Sequence, residues 1–503
     1  MRLENAARNV KTAWLLHALH IICQFVSRTV IIYVLTIEYV GLSGLFSNIL
    51  TMLSLAELGV GEAIIFSLYE PIARNEQDVI NRIMNFYRKV YISVGCFVLV
   101  LGSALTPFIG HFIKDMPDIP NIHLIYVLYV VNSAVSYFFS YKSAFVTANQ
   151  NNYIVVLNNG LFEVAMVAVQ AVILFTTKNY VAYMIAGICF VLLQNISITV
   201  IADKKYPYIK EHSKSKMPAE IFDQIKKNTW AMVFHKIGTI IVFATDNLII
   251  SKFIGLVSVG IYTNYCTITN AVTTFISKFF TAISASVGNL AVEESVEVQE
   301  KTLFRVLFIN FWLYVFSCCC LYNLLNPFIR DIWLSEKYLF GNAIVLLIVV
   351  KIYITGLRGA SQTFKNAKGL YWYNKYMPIY ESLINLAVSL LLVSKIGVSG
   401  VLIGTIISSV LTCVWIEPHV LYKYGFNKSA YKYYAKYILY FVIFILIMGV
   451  TAFVDSFVTK TGFLAFIMHL AISVTVPNLC MVVLFRRTDE FGYMVRVLKR
   501  RLK

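Results

Sequence analysis

Four polar residues interrupt the first apolar stretch of the sequence: His17, His20, Gln24 and Arg28. On a helix turning about 100° per residue they fall within about 80° of one another, so one face carries two imidazoles, an amide and a guanidinium. Arginine forks onto phosphate or carboxylate and histidine titrates near neutral pH, so such a stripe can hold an anion, pass a proton or tie helices together. A second stretch, SLAELGVGEAII at 54–65, sets Glu57 and Glu62 inside an apolar run from about Leu42 to Tyr69. Read as one continuous helix, Ser47, Ser54, Glu57 and Gly61 share a face about 80° wide, and Glu62 lies about 140° around from Glu57. Glu57 is expected to face a cavity with the stripe of the first segment, and Glu62 to meet a basic partner or carry protons.

The same pattern returns later in the chain. His235, Thr239 and Asp246 form a narrow stripe with Lys236 and Asn247 beside it, and Thr267, Asn270, Thr274, Ser277, Lys278, Thr281 and Ser284 form a band about 120° wide. Polar groups are costly in hydrocarbon, so these faces are expected to look at a bundle interior or a water-filled cavity. Protonation or cation binding at Glu57, Glu62 or Asp246 would change the local field there. Interhelical ion pairing is the alternative for Arg28, Glu57 and Glu62, and interhelical hydrogen bonding for His17 and His20. Glu163 and Lys351 are further intramembrane charges, whereas Arg358, Glu381 and Glu417 read as residues that snorkel to the interface or end a helix.

The elements that must position these groups are membrane helices. The chain has 503 residues, of which 59% are hydrophobic and 14% charged, and its mean hydropathy is +0.72, far from the composition of soluble domains. Fourteen apolar segments recur, at about 12–36, 42–69, 83–109, 121–146, 153–177, 179–202, 228–251, 257–289, 302–328, 338–358, 376–394, 397–422, 433–455 and 462–485. Of the 43 Lys and Arg residues, 32 fall in one alternate set of connectors or at the segment ends that adjoin them, seven in the other set, and four (Arg28, Lys236, Lys278, Lys351) deeper inside segments. By the positive-inside rule both termini are expected in the cytoplasm. The net charge of +17 then reflects orientation and attraction to anionic lipid, and does not imply nucleic acid.

The expected organisation is an N-terminal bundle of six helices at 1–202, a basic cytoplasmic linker at 203–227, a second six-helix bundle at 228–425, and a final helix pair with a basic tail at 426–503. An internal repeat supports it: EYVGLSGLFSN at 38–48 matches KFIGLVSVGIYTN at 252–264 with two residues inserted. Both copies start on the same side of the membrane, which makes the repeat parallel. Aligning Asn48 with Asn264 puts Glu62 opposite Lys278.

The nine cysteines all fall in apolar segments and read as packing residues, with no metal site expected. The first segment reads as a retained anchor, since no small-residue cleavage site follows it. No P-loop occurs, which argues against ATP-driven transport by this chain. The short external connectors argue against a membrane polymerase or glycosyltransferase, and an even count of acids and bases argues only weakly against a multidrug exporter.

SLAELGVGEAIIFSLYEPIARNEQ, HKIGTIIVFATDNLIISKFIGLVSVGIYTNY and GLRGASQTFKNAKGLYWYNKYMPIYESLINLAVS, together with TANQNNYI and WIEPHVLYKYGF, resemble the Wzx-type polysaccharide or oligosaccharide flippases. Those belong to the superfamily that also holds the lipid II flippases and the multidrug and toxin extruders. The resemblance implies an all-α membrane fold of about 14 transmembrane helices, two parallel-related six-helix bundles in a V, and a final helix pair. It implies ion-coupled alternating access that moves polyprenyl-pyrophosphate-linked oligosaccharide to the external leaflet of a bacterial cytoplasmic membrane. It further implies a single non-enzymatic chain without a cofactor, driven by a proton or sodium gradient, with a glycan polymerase as partner. Carried residue by residue, pyrophosphate holding falls to Arg28, Lys278, Lys236, Lys351 and Arg358. On physical grounds and not by the resemblance, Asn270 and Thr274 of the polar band are expected to meet the glycan, and Glu57, Glu62 or Asp246 to couple the ion.

Overall fold

A computed structural model of the chain describes residues 2–54, 57, 59–210 and 217–502; the side chains of 2–11, 13–14, 228, 231–243, 282, 285, 498 and 500–502 lie outside that description. Hydrocarbon offers no partner to a backbone amide, so apolar runs of this length must satisfy their own hydrogen bonds as helices. Among the described residues there is no strand, and twelve helices are long and apolar enough to cross a membrane. The protein is a multi-pass membrane protein. Those twelve coincide with twelve of the segments read from sequence.

The other two segments differ in kind. That at 228–251 lies within a longer helix, Ala219–Phe253. That at 42–69 is not one helix, contrary to its continuous apolar pattern: it is Ile37–Leu53 followed by Val60–Arg74. Gly59 sits between them at φ 80°, ψ 4°, a left-handed conformation that residues bearing a Cβ rarely hold, and it ends the run. The face drawn through Ser47, Ser54, Glu57 and Gly61 therefore does not exist as a single stripe.

Contacts divide the chain into two units, Met1–Gly260 and Ile261–Lys503. The first holds α1 (Arg2–Val34), α2 (Ile37–Leu53), α3 (Val60–Arg74), α4 (Gln77–Ala104), α5 (Ile122–Ala148), α6 (Asn152–Thr177), α7 (Tyr180–Lys205), α8 (Ala219–Phe253) and the start of α9 (Leu256–Glu293). Within it α1 packs on α6, α5 on α4 and α7, and α8 on α2 and α3. The two copies of the internal repeat touch here. A Cβ on Gly41 would lie 2.2 Å from the Leu256 carbonyl oxygen, and one on Gly260 2.5 Å from that of Ile37, so the backbones cross closer than any larger residue permits.

The second unit continues with α10 (Val296–Pro327), α11 (Asn342–Leu357), α12 (Gly359–Ala367), α13 (Met377–Ile396), α14 (Val398–Leu411), α15 (Cys413–Val420), α16 (Tyr431–Asp455), α17 (Phe463–Phe485) and α18 (Asp489–Leu502). α10 is its centre, packed by α11, α16 and α17. Trp312 donates to Asn478 at 2.7 Å and Asn323 to Ser473 at 3.2 Å, pinning α10 to α17. Two spans are interrupted, between α11 and α12 at Arg358 and between α14 and α15 at Thr412. At the first interruption Asn310 of α10 donates to the carbonyls of Gly356 and Leu357 at 3.1 and 3.0 Å, which satisfies acceptors in a region without water.

Candidate functional site

In the first unit α1, α2, α5, α6 and α7 enclose a cavity of about 300 Å³. Its wall from α1 is the stripe read from sequence, carried by Gln24, Ser27 and Arg28. α7 brings Tyr180 and Tyr183, three residues apart and stacked with ring centroids 5.2 Å apart, and α5 brings Tyr129 and Asn132. The hydroxyls are fixed in place: Tyr129 shares a hydrogen bond of 2.8 Å with Tyr180, and Ser27 one of 2.9 Å with Tyr183. Gln170, buried, donates to the Tyr183 carbonyl at 3.1 Å and holds α6 on α7. One carboxylate lines this cavity, Glu163 of α6, and it receives the ring of His20 at 2.5 Å. His20 is thus an interhelical hydrogen-bond partner.

Chemically this is an anion site with a hydroxyl-rich wall. Arg28 stays charged at any physiological pH and presents N–H donors in a planar fork suited to phosphate oxygens. Tyrosine faces and amide groups suit a sugar, which needs both flat apolar contact and hydrogen-bond partners. The tyrosines and Asn132 had escaped sequence reading because single Tyr and Asn residues on apolar helices look like packing. Their spacing of three, repeated on two helices, was the available signal.

The remaining candidates lie elsewhere. Glu57 sits in the break between α2 and α3 and accepts a hydrogen bond from Tyr91 of α4. A Cβ at Gly61 would meet that hydroxyl at 2.1 Å, so the glycine makes the room that Tyr91 needs. Glu62 is exposed on α3 and Asp246 is buried on α8. The side chain of Lys236, like those of His235 and Thr239, lies outside the described residues. On α9, Asn270 and Lys278 are exposed and Thr274 is half-buried; Ser277 and Thr281 donate to carbonyls one turn back, at 2.9 and 3.0 Å. Lys351 donates to the Tyr262 hydroxyl at 3.0 Å.

Glu381 and Glu417 correct the snorkelling reading, whereas Arg358 does stand at a helix end, closing α11 and opening α12. They do not snorkel; Glu417 is 1% and Glu381 7% exposed. Arg358 bonds both carboxylate oxygens of Glu417 at 3.1 Å and reaches Glu381 at 3.4 Å. Gln362 donates to Glu417 at 3.0 Å, Ser409 to Glu381 at 2.7 Å, and Lys365 lies 3.7 Å from Glu417. Two cations face two anions, which is what lets them leave the interface.

With this geometry in hand, the chain can be set beside known proteins. The family model described as polysaccharide biosynthesis protein matches residues 6–284, more than half of the chain. The chain belongs to that family. No curated protein matches it in sequence. Among solved structures, the lipid II flippase MurJ in an inward closed conformation superposes with a TM-score of 0.65 at 13% identity, over 95% of this chain and 98% of its own. An inward-facing multidrug resistance MATE family transporter of the MOP superfamily gives 0.61 at 12% identity, over 78% and 93%. A mutant of the Vibrio cholerae MATE transporter VcmN gives 0.59 at 11%, over 86% and 99%. These identities establish a shared fold, and the neighbours are flippases and transporters.

Proposed function

We infer that this member of the polysaccharide biosynthesis family is a flippase. It moves polyprenyl-pyrophosphate-linked oligosaccharide from the cytoplasmic to the external leaflet of a bacterial cytoplasmic membrane, with both termini cytoplasmic and a glycan polymerase downstream. The observation that carries this reading is the Arg28 cavity, a fixed cation walled by tyrosine, asparagine and glutamine inside a membrane bundle. A disubstituted pyrophosphate bears about two negative charges and gains from such a cation what hydrocarbon cannot supply. At about 300 Å³ the space suits the pyrophosphate and its nearest sugar, at the small end of ligand pockets. The Asn270 and Thr274 band with Lys278 is proposed as a further polar face for the glycan. Lys236 and Lys351 are secondary phosphate contacts, and Arg358 contributes through the architecture of its unit. The division at the basic linker 203–227 into two six-helix bundles plus a final pair fits this reading. Ion coupling through Glu57, Glu62 or Asp246 would bias alternating access.

The test is translocation of a fluorescent undecaprenyl-pyrophosphate oligosaccharide in proteoliposomes under imposed proton or sodium gradients. Wild type is expected to move the lipid, Arg28→Ala to lose it, and Glu57→Gln to lose gradient dependence. Full transport by Glu57→Gln removes that residue from coupling. Movement of a cationic dye with no lipid movement replaces the flippase by a multidrug exporter.

A further inference from the structure

Two hydrogen bonds hold the His20 ring. Its Nδ1 faces the Glu163 carboxylate at 2.5 Å, and its Nε2 faces the amide nitrogen of Gln24 at 2.8 Å. The amide N–H donates, so Nε2 is the bare acceptor and Nδ1 carries the proton. Gln24 and Glu163 both line the Arg28 cavity, while the His20 side chain is 45% exposed. The imidazole thus bridges the outside of the bundle and a carboxylate on the cavity wall.

We propose that His20, Gln24 and Glu163 form a proton-binding site that sets the anion affinity of the Arg28 cavity. A proton from water adds to the Nε2 lone pair, while Nδ1–H stays on Glu163. The pair passes from a net charge of −1 to zero, and with Arg28 the cavity passes from zero to +1. Gln24 must then turn its amide to offer its oxygen to the new Nε2–H, which swings its NH₂ away from the ring. Both changes favour an anion, and by linkage a bound anion favours the proton equally. The titratable and charged groups on the wall beside the pair are Cys23 and Arg28 of α1, Tyr129 of α5, and Tyr180 and Tyr183 of α7, with His17 three residues before His20 on α1. α2 adds Tyr39 against Tyr180, with Val40 and Ser43 on the wall. None of the tyrosines titrates at neutral pH, and the one fixed cation among these groups is Arg28.

This inference rests on the flippase reading only for the kind of anion. The experiment is equilibrium binding of a uridine diphosphate sugar, a disubstituted pyrophosphate of constant charge, to the full chain in nanodiscs at about pH 5.5 and about pH 8, on either side of the ordinary histidine value. Sulfate is the second arm, reporting a general anion site. Wild type is expected to bind about tenfold more tightly at the lower pH, a typical coupling factor. His20→Gln and Glu163→Gln are expected to lose that dependence, and His17→Gln to keep it. On wild type alone, nitrogen NMR of labelled histidine is expected to show the His20 titration moving up in pH when the probe binds, so a variant that misfolds leaves the test intact. Tight binding that is equal at both pH values overturns this inference and leaves the flippase reading standing. Absence of binding at both overturns the anion site itself. A pH dependence that survives Glu163→Gln and vanishes in His17→Gln moves the site elsewhere and overturns it too.

Discussion

Two arginines sit on apolar helices of this chain and lead opposite lives. Arg358 is clasped by Glu417 and Glu381, with Lys365, Gln362 and Ser409 completing a knot in which no carboxylate is left over. Arg28 opens on about 300 Å³ of space, and the one carboxylate on that wall is engaged by His20. A buried guanidinium whose charge is answered by protein carboxylates holds helices at their interruptions. One that lines a cavity can also present its N–H donors to a ligand. Residue type and hydropathy are the same in both cases, and the difference lies in what the neighbours bring.

The largest effect expected from breaking this contrast is Glu417→Ala, which takes from Arg358 and Lys365 the carboxylate they share and leaves Arg358 only Glu381. Removing one partner of a buried pair costs about 3–5 kcal/mol, read as a fall in thermal unfolding temperature in micelles. The double change Arg358→Met with Glu417→Leu is expected to recover only part of it, since buried Lys365 and Glu381 then lose these partners. Arg28→Ala is expected to shift stability by less than about 1 kcal/mol while abolishing lipid movement. Equal destabilisation by the two single changes would erase the distinction.

A middle-sized effect is expected at Gly61. Adding a Cβ drives into the Tyr91 hydroxyl, and overpacking of this kind costs about 1–3 kcal/mol. Tyr91→Phe removes the closest contact and the bond to Glu57, leaving Glu57 Oε1 at 2.9 Å from the added Cβ, so the double variant is expected to be more stable than Gly61→Ala alone; an additive loss would show that the hydroxyl is not the obstacle.

The smallest concerns Glu490, where α18 meets α16. Burial would raise its carboxyl, but the hydrogen bond from Lys436 prevails and holds it below the usual carboxylate range. A lowered folded value means that the contribution is complete above the unfolded value of about 4.3 and fades as pH falls through the lower one. It is worth less than about 1 kcal/mol. Amide protection in α18, relative to the intrinsic exchange rate at each pH, is expected to fall below about pH 4, and to show no such fall in Glu490→Gln.

Much of this was legible in the sequence. Helix spacing put His20, Gln24 and Arg28 on one face, and the structure finds them there because α1 is unbroken. The face drawn through Glu57 failed because a hydropathy pattern cannot register the left-handed turn at Gly59. Glu381 and Glu417 were misread for a related reason. Near a helix end, a carboxylate that reaches water and one that reaches an arginine two helices away look alike in one dimension. The tyrosines of the cavity were hidden because an aromatic ring on an apolar helix is equally at home in packing.

The crossing of Gly41 with Leu256 and Gly260 with Ile37 bears on how the chain is made. Some 220 residues separate the partners, so at about 5–20 residues per second α2 waits roughly 10–40 s in the membrane before its mate is synthesised. Its glycine face must spend that time against lipid or a chaperone. The first unit, which closes only at Gly260, is therefore completed after more than half of the polypeptide has left the ribosome, and a chain halted before that point would present an unfilled groove to quality control.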